Sequence, residues 1–232
     1  MGALPASLDE IHPSLWRASQ LGRASGRTVD TGYSTLSAEL PGGGWPQGAL
    51  VELCVQQAGS GEIRLLAPAL ATVSKRSVAV LQPPRVLNAT ALQYIGLPVD
   101  KMLLVRPKLT ADALWAAEQI LKAGTCGALV FWQEHLRQES LRRLQLAARS
   151  SEMLFFVVRP LARALDSSPA ELRLTVRPCE GGVSVEVVKR KGPSMNGSVS
   201  VELRPSPVLV SPHGRAMRGA PRTVTQLANA HA

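Results

Sequence analysis

Between Gly48 and Leu66 the sequence reads GALVELCVQQAGSGEIRLL. Ala49 to Val55 is an apolar run of strand length, Gly59 and Gly61 mark a turn, and a helical pattern opens at Glu62. Strand, glycine turn and helix in that order form the frame of a phosphate-binding loop. Such a loop needs a lysine and then a hydroxyl after its last glycine, for the phosphates and for Mg²⁺. Glu62 stands at the lysine position and Ile63 at the hydroxyl position. A carboxylate repels a triphosphate and isoleucine cannot ligate magnesium, so the frame is present without its chemistry.

The chain has 232 residues, enough for one sizeable core with a small appendage. A formal net charge of +9 and a pI near 10.2 make acidic partners plausible, either nucleic acid or an acidic protein surface. Cys54, Cys126 and Cys179 lie far apart with no ligand spacing, which fits reduced thiols. His12, His135, His213 and His231 are scattered in the same way. Asp9 and Glu10 fall in an N-terminal stretch with no apolar run, so no signal peptide is read there. No stretch approaches the roughly 20 apolar residues of a membrane span, and the expectation is a cytoplasmic protein.

Residues 1–28 read as an arm. In Ser34–Glu39 a short helix is expected, followed by an irregular Gly42-Gly43-Gly44 loop. Strands then alternate with helices. Ala49–Val55 is followed by a helix over 62–74, which Pro68 should kink or delay. Val78–Leu81 ends at Pro83-Pro84 and leads to a helix over 86–95. Met102–Val105 precedes a helix capped near Thr110 and ended by Gly124. Ala128–Trp132 precedes a helix over 136–150, and Met153–Val158 closes the series. Trp16, Trp45, Trp115 and Trp132 read as core or loop anchors.

This alternation implies right-handed crossovers and an α/β fold. Its mostly parallel central sheet is covered by helices on both faces, and its strands are apolar on both sides. After Pro160 the pattern changes to period two. Leu172–Val176 and Val183–Val188 flank Cys179-Glu180-Gly181-Gly182, a hairpin signal, and Ser198–Leu203 adds a strand, so antiparallel strands are expected at one edge. From Pro205 periodicity is lost, and no acid follows Glu202. Residues 29–204 therefore read as the core domain and 205–232 as a basic flexible tail carrying Arg215, Arg218 and Arg222.

Several segments resemble RecA. Asp30-Thr31-Gly32 with the triple glycine resembles its approach to the phosphate loop, and Gly48-Ala-Leu-Val-Glu-Leu resembles the strand feeding it. Ile95-Gly96-Leu-Pro-Val-Asp100 resembles the segment before its third core strand, and Val187-Val188-Lys189-Arg190-Lys191 resembles its lysine-containing hairpin strand. The resemblance covers about residues 29–203 and implies a RecA-like core. Where RecA carries its catalytic glutamate this chain has Pro84, and the fourth strand ends Phe131-Trp132-Gln133 where an aspartate should hold magnesium. With Glu62 and Ile63, four elements of one machine are absent together, which implies no ATP hydrolysis and no cofactor. Each such loss typically costs several kcal/mol of barrier, about 2.7–4.

A short RecA-like chain with an erased ATP site and a basic tail resembles the ImuA family, whose members are also described as SulA-like. The resemblance implies a non-catalytic accessory of damage-induced translesion DNA synthesis, contacting an ImuB-like protein, RecA and an error-prone DNA polymerase. On that reading Lys189, Arg190 and Lys191, with Arg215, Arg218 and Arg222, supply charge for a partner or for nonspecific, salt-sensitive DNA contact. Aromatic residues are only 4% of the chain, too few for base-stacking platforms. The alternative is a SulA-like inhibitor of cell division acting on FtsZ. A third reading, an ATPase with an altered loop, would need a lysine such as Lys75 or Lys189 supplied from elsewhere. Ser60, between Gly59 and Gly61, lacks nucleophile-elbow spacing and reads as turn chemistry.

Overall fold

The computed structural model describes residues 26–191 and 197–203. The N-terminal arm falls almost wholly outside that range, and the basic tail entirely so. A short antiparallel pair comes first, β1 (Thr28–Val29) and β2 (Trp45–Pro46), with α1 (Ser34–Glu39) between them. The main sheet contains β3 (Ala49–Val55), β4 (Val78–Leu81), β5 (Met102–Val105), β6 (Ala128–Trp132) and β7 (Leu154–Pro160). It is completed by β8 (Leu172–Cys179), β9 (Gly182–Lys189) and β10 (Ser198–Glu202). Its eight strands lie in the order β10-β9-β8-β3-β7-β6-β4-β5. Every pairing from β8 to β5 is parallel, and β8–β9 and β9–β10 are antiparallel. The fold is thus mixed α/β with a large, mostly parallel sheet flanked by helices.

The residue pattern explains the two layers. On β3, Val51, Leu53 and Val55 face one side and pack with Leu65, Leu66, Ala69 and Leu70 of α2 (Glu62–Val73). Leu50 faces the other side. There it joins Ala113, Ala117 and Leu121 of α4 (Thr110–Ala123), and Leu141, Leu144 and Ala148 of α5 (Gln138–Arg149). Trp45 is fully buried and meets Phe156 edge-on, with centroids 5.3 Å apart. An aromatic pair of this kind adds about 0.5–1.5 kcal/mol beyond area burial.

Pro68 lies inside α2 and does not delay its start at Glu62. Proline has no N–H for the carbonyl of Arg64, one turn earlier. The hydroxyl of Tyr33 donates to that carbonyl instead, at 3.0 Å, so the segment before the sheet completes the helix. Gly32 permits the approach. Its φ is +81°, and a Cβ there would lie 2.3 Å from Pro68 Cβ.

Four expectations need correction. The helix read over 86–95 is the shorter α3 (Ala89–Tyr94), because the Asn88 side chain accepts from Ala91 N–H and caps it late. The helix read over 136–150 starts at Gln138. Burial on both faces holds for β3, β4 and β6 but fails for β5: as an edge strand it leaves Leu103 and Leu104 about half exposed. Trp115 is likewise no core anchor; it projects from α4 with 65% exposure. Among the described residues no helix is long and apolar enough to cross a membrane.

Candidate functional site

The parallel strands all end on one side, where open α/β sheets characteristically bind ligands. A cavity of about 570 Å³ lies there, at the carboxyl ends of β3, β4, β6 and β7. Gln56, Gln57 and Ala58 of the β3–α2 loop form one wall. Gln82, Pro84, Trp132 and Gln133 form another, and Glu134, His135, Arg159 and Pro160 complete the lining. The first glycine of a phosphate loop would fall at Gln56, a further departure from that pattern.

Glu62 is the centre of the loop. Its side chain does not point at an incoming ligand but folds back beneath the loop, 1% exposed. Oε1 accepts from Gly59 N–H at 2.6 Å and from Trp132 Nε1–H at 3.2 Å, and Oε2 accepts from Gly61 N–H at 3.2 Å. Backbone N–H groups at a helix N-terminus are the donors that would cradle a phosphate. Here the chain's own carboxylate takes them. Trp132, which the RecA resemblance would set at a magnesium aspartate, is 7% exposed and closes this arrangement with its indole N–H. Ile63 packs partly against the α2 side of the core. Ser60 bonds back to Gln57 O at 2.5 Å, the turn role expected of it. Gly59 and Gly61 both have positive φ, and a Cβ on Gly61 would press on Leu203 and Val183 at 3.0 Å.

Pro84 lines the cavity and brings no carboxylate to it. Gln82 holds the only positive φ of a non-glycine among the described residues, +51°. Its N–H reaches Val105 O at 2.9 Å and its amide reaches Pro107 O at 3.3 Å, which pins β4 to the end of β5. Glu134 and His135 stand exposed at the rim, 3.9 Å apart. Among the described residues no group of three or more His, Cys, Asp or Glu side chains is placed to hold a metal ion.

Behind the cavity lies a charge cluster the sequence reading missed. Glu52 is fully buried in the middle of β3 and is held by Arg159 Nη1 at 2.9 Å and by Arg173 Nη2 at 2.6 Å. Arg173 also donates to the carbonyls of Ala164 and Asp166, fixing the turn after β7. The signal was available: a charged residue inside each of ALVELCV, LFFVVRP and LRLTV must find a partner, because an unpaired buried charge is too costly.

The basic residues read as partner or DNA contacts are tied within the chain. Lys189 donates to Ser168 O at 2.8 Å, Arg190 bonds to the Glu39 carbonyl, and Lys191 meets Glu171 at 2.8 Å. They join the hairpin to neighbouring segments. Arg215, Arg218 and Arg222 lie outside the described residues.

No family model matches the chain. It is similar to proteins named cell division inhibitor SulA. The Serratia marcescens protein is 29% identical over 119 residues, covering 50% of this chain and 71% of that protein. That of Yersinia pestis strain Pestoides F is 32% identical over 100 residues, covering 42% of this chain and 60% of the relative. The crystal structure of SulA from Pseudomonas aeruginosa is 26% identical, covering 47% of this chain and 97% of that one, with a TM-score of 0.41. The chain is therefore SulA-like in sequence, while half or more of it lies outside each shared stretch.

Proposed function

We propose that this chain is a non-enzymatic, protein-binding SulA-like protein of the DNA-damage response. The observation that carries this is the Glu62 carboxylate on the loop donors. A loop whose N–H groups are already satisfied by a buried anion has neither the charge nor the free donors for a triphosphate, which supports a chain that works without an ATPase cycle. What is left to do work is surface. The relatives are named cell division inhibitors, so the first reading is inhibition of division through binding FtsZ, in the cytoplasm.

A second reading has its own support. The chain carries RecA-like segments in order from Asp30 to Lys191, and much of its length has no counterpart in the SulA matches. That larger body fits an ImuA-like adaptor in translesion synthesis, with an ImuB-like protein, RecA and an error-prone polymerase as partners. Affinity purification of the tagged full chain from DNA-damaged cells, read by mass spectrometry, separates the two. FtsZ recovered without the others supports the division inhibitor, and the ImuB-like protein, RecA or the polymerase without FtsZ supports the adaptor. Saturable binding of ATP in excess magnesium would sink both.

A further inference from the structure

A second cavity, of about 510 Å³, opens beside the first and shares His135 and Arg159 with it. Two helices begin at its wall. Thr110 and Ala111 open α4, and Arg137 and Ser140 belong to the start of α5. Neither helix has a side-chain hydrogen bond capping its N-terminus. The first-turn N–H groups of both therefore remain as donors, although each first turn carries an acid, Asp112 and Glu139, that offsets part of the positive dipole end.

Three arginines, Arg137, Arg159 and Arg163, line the same space. Arg159 is 2% exposed, and its buried Nε has no hydrogen-bond partner among the described residues. The acid in the lining is Asp166. Its carboxylate stands 3.7 Å from Arg159 and 3.6 Å from Arg163, beyond hydrogen-bond length, so it offsets charge without taking their hydrogen bonds. Arg159 already gives Nη1 to Glu52, which leaves Arg137 and Arg163 to supply most of the uncommitted charge. Thr110 and Ser140 add hydroxyls. The cavity has the make-up of an anion cradle with its anion held loosely at the edge.

The surroundings select the kind of anion. The adjoining cavity is lined by the amides of Gln56, Gln57, Gln82 and Gln133, groups that pair with peptide N–H and C=O. Glu134 lines the first cavity, next in the chain to the shared His135, and would repel a run of phosphates there. Leu114 and Leu136 give the arginine cavity apolar wall. We propose that this cavity is a docking pocket for a carboxylate side chain in an acidic, partly apolar peptide segment of a protein partner. The proposal rests on the protein-binding reading and names the surface that would do the binding.

The test uses the full chain and fluorescence anisotropy. The probes are a labelled peptide of about ten alternating glutamates and leucines, its glutamine-for-glutamate analogue, and a labelled oligothymidylate of similar length. The glutamate peptide is expected to bind and the glutamine analogue not to. Arg163→Glu and Arg137→Glu should each weaken binding by about tenfold or more, since each removes a charge-assisted contact. Arg177→Glu, on the exposed hairpin, controls for net charge and should leave binding unchanged. Absence of binding, or equal loss in the control, overturns the proposal. So does an oligothymidylate that displaces the peptide and is itself weakened by the same two reversals, because the pocket would then be a phosphate site. Failure of this idea is separable from failure of the function. If Arg163→Glu and Arg137→Glu still capture the cellular partner as well as the unaltered chain does, the pocket is wrong and the protein-binding reading stands. If the glutamate peptide binds as described but cells yield no partner, the reverse holds.

Discussion

Two carboxylates are buried in the same strand–loop–helix unit, and they are held in opposite ways. Glu52, in the middle of β3, is met by two guanidinium groups. Glu62, at the start of α2, is met by no cation in its hydrogen bonds, only by two backbone N–H groups and an indole N–H. The first is neutralised by charge and welds three neighbouring strands, β3, β7 and β8. The second is neutralised by dipoles and occupies a place where such donors would otherwise face a ligand. Burial of an acid thus means framework in one case and closure in the other, and the partners, not the burial, tell them apart.

The sharpest way to break the comparison is at Glu52. Glu52→Ala leaves Arg159 and Arg173 buried with their main counter-charge gone, and unfolding in denaturant should show a loss of about 3–5 kcal/mol. A loss below about 1 kcal/mol would mean that the cluster is hydrated and not a weld. Glu62→Gln comes next. The amide keeps one acceptor oxygen but turns its NH₂ toward donors, so the cost should be about 1–3 kcal/mol by the same measurement. Fluorescence of Trp132 should shift with it, because the indole loses a charged acceptor. A variant as stable as the parent would show that the loop does not need its internal anion.

The smallest effect sharpens the Glu52 side. Burial first, then the Glu52 charge, pushes the Cys54 thiol up to about 11 from its ordinary 9.0. The unfolded chain releases that proton from about pH 9, while the folded chain keeps it to about pH 11. Stability from this group is therefore intact below pH 9 and is lost as pH rises through that window. Cys54→Val should flatten the alkaline fall in the thermal midpoint. An unchanged profile would place the titration elsewhere.

The parts of the fold that were legible in sequence are those governed by one rule. Strands buried on both faces read as nearly continuous apolar runs, which placed β3, β4, β6 and β7 to within a residue or two. The β8–β9 hairpin announced itself through period two and Gly181. What escaped depends on partners distant in the chain. Tyr33 takes the Arg64 carbonyl that Pro68 leaves open, so the helix starts at Glu62 where the proline alone allowed a delay. The exposure of Leu103 and Leu104 follows from strand order, which the composition of β5 does not encode. At the site, the missing lysine was visible, but the use of Glu62 was not, because a residue that fails one role says nothing about the role it takes instead.

The Glu62 arrangement also bears on how such a loop could change over time. Every group around that carboxylate is a donor. A lysine installed at residue 62 would bring more donors to a place already crowded with them, facing Gly59, Gly61 and the Trp132 indole with nothing to accept. The single substitution that looks like a repair is thus uphill in its own right, before Gln56, Ile63 or Pro84 is touched. The acid works as a ratchet: while these donors depend on it, the loop resists being given a phosphate-binding lysine one substitution at a time.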